Sequence, residues 1–184
     1  CNYVHSKKIS YKEYTIYGCA YVPPTPFQLK DWELYDVSRF VDPGCVPPTE
    51  GFRSVPADKR IIEHLTIKNE LEKLTDENDL SNSVFLFHCP PYSTKLDRAA
   101  LDGMKFDHVP IDVHIGSMAI KQFIEKKQPY LTMHGHVHES TSITKLWQEK
   151  IGDTFAFQAA HNGPELSVIH FDLENLSSAE RILI

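Results

Sequence analysis

The chain lacks any long apolar run: nothing approaches the ~18 consecutive apolar residues that a membrane span requires, and no signal-peptide pattern is visible. It also lacks a basic tract. Lysine and arginine number 19 against 25 aspartates and glutamates, a net charge of −6, and the pI is near 5.9. This balance argues against long nucleic acid as a partner. No CxxC pair joins the four cysteines, Cys1, Cys19, Cys45 and Cys89, which predicts reduced thiols and a cytoplasmic setting. There is no HExxH, so the helical zinc-protease arrangement is excluded. No methionine precedes Met104, and the first residue is Cys1. Sequence upstream is therefore expected, and the lack of a targeting signal carries little weight.

What is present fits one globular domain over residues 1–184, with 41% hydrophobic and 24% charged residues. The densest chemistry lies in Thr132-Met133-His134-Gly135-His136-Val137-His138-Glu139-Ser140. Imidazole is the commonest neutral ligand for zinc, iron and manganese-type ions, and glycine lets the chain turn between ligands. In a straight strand His136 and His138 would share a face about 6–7 Å apart. That spacing is too wide for one ion but suits two ions ~3.5–4 Å apart once the chain bends. The opposing possibility is a surface loop that is merely rich in histidine.

Tyr14 to Ala20 is β-branched and aromatic and predicts a strand. Residues 22–56 carry most of the prolines, interleaved with Phe27, Trp32, Tyr35 and Phe40, and predict an ordered insertion or lid. Asp58 should cap a helix running to Leu74. Ser83 to Phe87 reads as a buried strand ending at His88, where Pro90-Pro91 forces the chain out. A histidine at the carboxyl end of such a strand lies where open α/β sheets place their ligands. The loop from Cys89 to Ile115 holds Asp97, Asp102, Asp107, His108, Asp112 and His114, and loops of that length are usually functional. Gly116-Ser117 should open a helix to Lys127 whose free amides could receive a phosphate. A strand from Tyr130 to His134 follows. The intervening helix predicts parallel neighbours that bring His88, His136 and His138 together. Asp153 to Ala159 and Leu166 to Leu173 read as strands joined by the turn His161-Asn162-Gly163-Pro164, with an edge strand from Ala179 to Ile184.

Phe87-His88-Cys89-Pro90-Pro91, the helix opened by His114-Ile115-Gly116-Ser117, Gly135-His136-Val137-His138-Glu139-Ser140 and His161-Asn162-Gly163-Pro164 together resemble the C-terminal half of the calcineurin-like metallophosphoesterases. The resemblance is firmest from His88 to Leu173. It implies an α/β fold, part of a four-layer αββα sandwich with two mixed β-sheets. It also implies a centre of two divalent ions (Mn, Fe or Zn), with His88 and His136 on one ion and His138 on the other. His114, Gly116, Ser117, His161 and Asn162 would approach a phosphorylated small-molecule substrate. The family's DxH, GDxxD and GNxD/E motifs have no counterpart in their expected places; Asp112-Val113-His114 spells D-x-H but falls between His88 and Gly135. The segment missing from the N-terminus is expected to complete the site.

The implied activity is hydrolysis of a phosphomonoester or phosphodiester by water activated between the two ions, with the present chain inactive alone. Two alternatives stand beside it. One is a non-catalytic protein-interaction module on the same fold, using residues 22–56. The other is a single-zinc hydrolase, with Asp107, Asp112 or Cys89 as the further ligand.

Overall fold

The computed structural model describes residues 2–76 and 78–184; Cys1, one of the four expected thiols, lies outside the described residues. In chain order, β1 (Lys7–Tyr11) and β2 (Tyr14–Cys19) form a hairpin, α1 (Lys59–Ile62) and α2 (Ile67–Thr75) follow, and β3 (Ser83–Phe87) comes next. A small hairpin of β4 (Lys105–Phe106) and β5 (Val109–Pro110) lies in the long loop before α3 (Met118–Lys127) and β6 (Leu131–His134). The chain closes with α4 (Ser140–Thr144), β7 (Gln148–Ile151), β8 (Thr154–Gln158), β9 (Ser167–Asp172) and β10 (Asn175–Leu183). This is a mixed α/β fold around a six-stranded sheet ordered β1-β2-β3-β6-β8-β7, with β9–β10 and β4–β5 as separate two-stranded sheets. The four central strands are parallel and the two outer pairs antiparallel.

Period-two alternation assigns the two faces of the sheet. Tyr17, Cys19, Phe85, Phe87 and Ala156 point to one side, where Leu71 of α2 and Ile120, Phe123 and Ile124 of α3 cover them. Ile16, Val84, Leu131, Met133, Phe155 and Phe157 point to the other, where Ile169, Phe171 and Leu176 of the β9–β10 hairpin pack. Phe85, Leu131, Ile120 and Phe157 are each 0% exposed, and burial of such a side chain stabilises by roughly 1.5–3 kcal/mol. The hairpin covers the second face unevenly. Leu86, on a central strand between β2 and β6, remains 37% exposed.

The single helix expected from Asp58 to Leu74 is two. Asp58 does cap α1, its side chain accepting from the Arg60 amide. Thr66 then turns extended, its hydroxyl accepts from the Asn69 amide, and Tyr35 and Asp36 of the proline-rich segment take the Ile67 and Lys68 amides. A tertiary partner thus starts α2 afresh. That segment is ordered by a buried cluster in which Lys30 donates to Glu33 (2.6 Å) and to the Thr25 carbonyl (2.9 Å). The expected edge strand near the C-terminus exists as β10, but it pairs with β9 outside the large sheet.

Candidate metal centre

β3 and β6 are parallel neighbours, and their register sets His88 opposite Gly135, with the Gly135 amide donating to the His88 carbonyl at 2.9 Å. Both strands therefore deliver histidines to the same sheet edge. The rings of His88 and His136 lie 5.0 Å apart between centroids at 65°. The turn between the ligand candidates is made differently from expectation. Gly135 has no positive φ, and a Cβ there would meet His88 at an ordinary 3.6 Å. His136 itself takes φ +68, and the Val137 amide donates to the Gly135 carbonyl at 2.8 Å. That is a γ-turn of the rarer positive-φ kind, a conformation that costs of order 1–3 kcal/mol and persists only where its surroundings hold it. His136 and His138 consequently do not lie on a straight strand.

Burial, with His138 as a second cause, lowers the His88 pKa. Burial brings His136 down to about 4, His88 and His138 adding to the effect and Glu139 opposing it. Neutral imidazole, the ligating form, is thereby favoured at both rings. His5, His114, His134 and His161 each spend a ring nitrogen on a hydrogen bond, whereas His88, His136 and His138, like the exposed His64, His108 and His170, make none to protein groups among the described residues. The donor chemistry thus fits a metal, but the count does not. Among the described residues no group of three or more His, Cys, Asp or Glu side chains is arranged to hold an ion. What the described residues bring together at this point is a pair of neighbouring imidazoles, His88 and His136.

His134, the first histidine of the cluster, belongs to the core. Its Nδ1 lies 2.9 Å from the Cys89 carbonyl and its Nε2 2.8 Å from the Thr132 hydroxyl, and it stacks on Phe87 at 10°. A carbonyl only accepts, so Nδ1 carries the proton and Thr132 donates to Nε2. Burial lowers its pKa to about 4.

The remaining candidates separate. Gly116 and Ser117 do open α3, but those amides are already engaged. Met118 and Ala119 donate to Asp36 at 2.7 and 3.2 Å, the Ser117 hydroxyl donates to Asp36 at 2.5 Å and accepts from Ile120 N, and Gly116 N donates to Asp97 at 3.1 Å. An internal carboxylate occupies the place expected for phosphate. Residues 114–117 run beside the chain leaving His88, since Ser117 N donates to Pro90 O at 2.9 Å and Tyr92 N to Ser117 O at 3.0 Å. His114 Nδ1 lies 2.7 Å from Asp97. His161 pairs with Glu165 at 3.0 Å, and Asn162 donates to Ser142 at 3.3 Å. Among the single-zinc alternatives, Cys89 is 0% exposed with its thiol pushed up by burial, Asp107 sits exposed at the β4–β5 turn, and Asp112 accepts from Tyr92 and the His114 amide. Among the described residues none of the three is grouped with the histidines around one ion. Asp36 has no signal in the sequence, because no spacing marks a carboxylate that reaches across 81 residues to a helix start.

No protein-family profile and no curated protein sequence matches the chain. Among solved structures, one crystallised protein shares the fold over 98% of this chain at 16% identity and a TM-score of 0.58, the alignment spanning 53% of that longer chain. TT1561 of Thermus thermophilus aligns over 98% of this chain and 58% of its own at 17% identity, with a TM-score of 0.46. The chain thus spans about half the length of these solved structures.

Proposed function

We propose that this chain is part of a calcineurin-like metallophosphoesterase that hydrolyses a phosphorylated small molecule, with His88, His136 and His138 as one side of a two-metal centre in an αββα sandwich. The observation that carries the reading is the His88–His136 pair. Two neutral imidazoles, 5.0 Å apart and free of protein hydrogen bonds among the described residues, stand at the ends of adjacent parallel strands. A sheet face left partly open at Leu86 suits a second sheet. Divalent ions in such a centre would supply charge neutralisation at phosphorus. The residues of this chain would orient them and shut water away on the buried side, through Phe87 and His134.

The test uses the intact protein with manganese on a chromogenic phosphomonoester and phosphodiester. Metal-dependent turnover is expected, and His136→Ala should abolish it; turnover that persists with chelator would falsify the proposal. The second reading, an interaction module without catalysis, draws support from the incomplete ligand set and from Phe27, Phe40 and Phe52, exposed at 72%, 67% and 61% on the proline-rich segment. It predicts an intact protein that binds no manganese.

A further inference from the structure

Asp97 is 0% exposed, and four nitrogens surround its carboxylate. Ser93 N and Gly116 N reach Oδ2 at 2.9 and 3.1 Å, Thr94 N reaches Oδ1 at 2.9 Å, and His114 Nδ1 reaches Oδ1 at 2.7 Å. A carboxylate so surrounded only accepts, so Nδ1 of His114 holds the proton. Nε2 has no hydrogen-bond partner among the described residues, and the side chain is 28% exposed. A buried carboxylate that fixes one imidazole nitrogen and leaves the other for a reactant is the arrangement used to position a proton-transfer histidine.

The dyad is also built between the two loops that carry the candidate ligands. Residues 116–117 are hydrogen-bonded to 90–92, just beyond His88. On the other side, Arg98 N donates to Ser140 Oγ, Ser140 Oγ donates to Lys95 O, and Ala100 N donates to Glu139, just beyond His138. Around His114 stand Tyr92, whose ring is 6.1 Å away, and Asp112, which accepts from Tyr92 OH and His114 N. Asp42 lies within electrostatic reach of Asp112, and the Arg98 backbone pairs with that of His114. Apart from the imidazole, three backbone amides hold Asp97.

We propose that His114, positioned by Asp97, binds the phosphoester through Nε2 and donates the proton that the leaving oxygen takes up. This rests on the hydrolase reading above. In the step, the bond from phosphorus to the leaving oxygen breaks with its electron pair on that oxygen, which takes the Nε2 proton of the imidazolium. Water supplies the new bond to phosphorus and releases its own proton to solvent, and His114 is then reprotonated from solvent. Asp97 remains a carboxylate throughout.

Two measurements on the intact protein decide it. Nitrogen-labelled histidine spectra, titrated with inorganic phosphate, should show a saturable change at His114 Nε2 that exceeds those of the exposed His64 and His170; an equal or smaller change overturns the proposal. Kinetically, His114→Asn keeps a donor toward Asp97 while removing Nε2. It should cut kcat on phenyl phosphate at least about tenfold more than on p-nitrophenyl phosphate, whose leaving group needs little protonation. Equal losses on both esters, like an unchanged rate, overturn the role. If wild-type protein hydrolyses neither ester, the hydrolase reading fails, and the phosphate response then decides His114 alone.

Discussion

His134 illustrates how the first histidine of a candidate ligand run can serve the core. Its pKa is lowered by burial from 6.5 to about 4, so between those values the unfolded chain binds more protons than the folded one. Stability is complete above about pH 6.5, declines as pH falls through the window and levels off near 4, a loss of about 3 kcal/mol from this residue. His136 contributes in the same direction. Urea midpoints at pH 7 and pH 4.5 should differ accordingly, and His134→Leu should shrink that difference. A pH-independent midpoint would contradict the burial argument. Sequence alone separates His134 from its neighbours poorly, because all three histidines share one short motif. What distinguishes them is the partner at position 89, 45 residues away, which no local pattern reveals.

At the scale of elements, periodicity marks strands 14–19, 83–87, 131–134, 154–158 and 167–172 and helix 118–127 to within a residue or two. Those segments carry their own burial pattern. The elements it does not mark are held by partners. β1 is an exposed edge with two lysines, β7 follows from the turn at Gly152 (φ +62) against the Gln128 side chain, and α4 is a five-residue helix with no side-chain cap. Gly116 is a tight junction against backbone among the site-bearing elements. A Cβ there would come within 2.7 Å of Pro90 O, 2.8 Å of Pro91 C and 2.9 Å of Asp97 Cβ. Backbone cannot yield as a flexible side chain does, so Gly116→Ala should destabilise by about 1–3 kcal/mol and disturb the loop after His88. Thermal unfolding would measure the first effect and the His88 ring resonances the second; an unshifted midpoint would reject the packing argument.

For the molecule as a whole, the two sheet faces are unequal. Parallel strands are normally covered on both sides, yet Leu86 shows 37% of its surface between two parallel neighbours. Leu86→Ser should therefore change the melting temperature little, where a fully buried leucine would cost much more. Thermal unfolding of the two proteins side by side would show it, and a large fall in the midpoint would count against it. The meeting of His88 and His136 is legible in the sequence as histidines at strand ends. The anion already seated at α3 is not, since Asp36 reaches it from a segment whose composition suggests only order.

The neck formed by residues 90–92 and 116–117 has a consequence for how this protein can vary. The chain between those strands is closed at its base by Ser117 N to Pro90 O and Tyr92 N to Ser117 O, and again by Ala99 N to Val113 O. Its tip, the β4–β5 hairpin, is exposed. Lengthening a closed loop costs only about 0.6 kcal/mol per doubling. Residues inserted at the Asp107 turn would therefore leave His88, Asp97 and His114 in register. The tip is where this chain can take added length without moving the residues at its base.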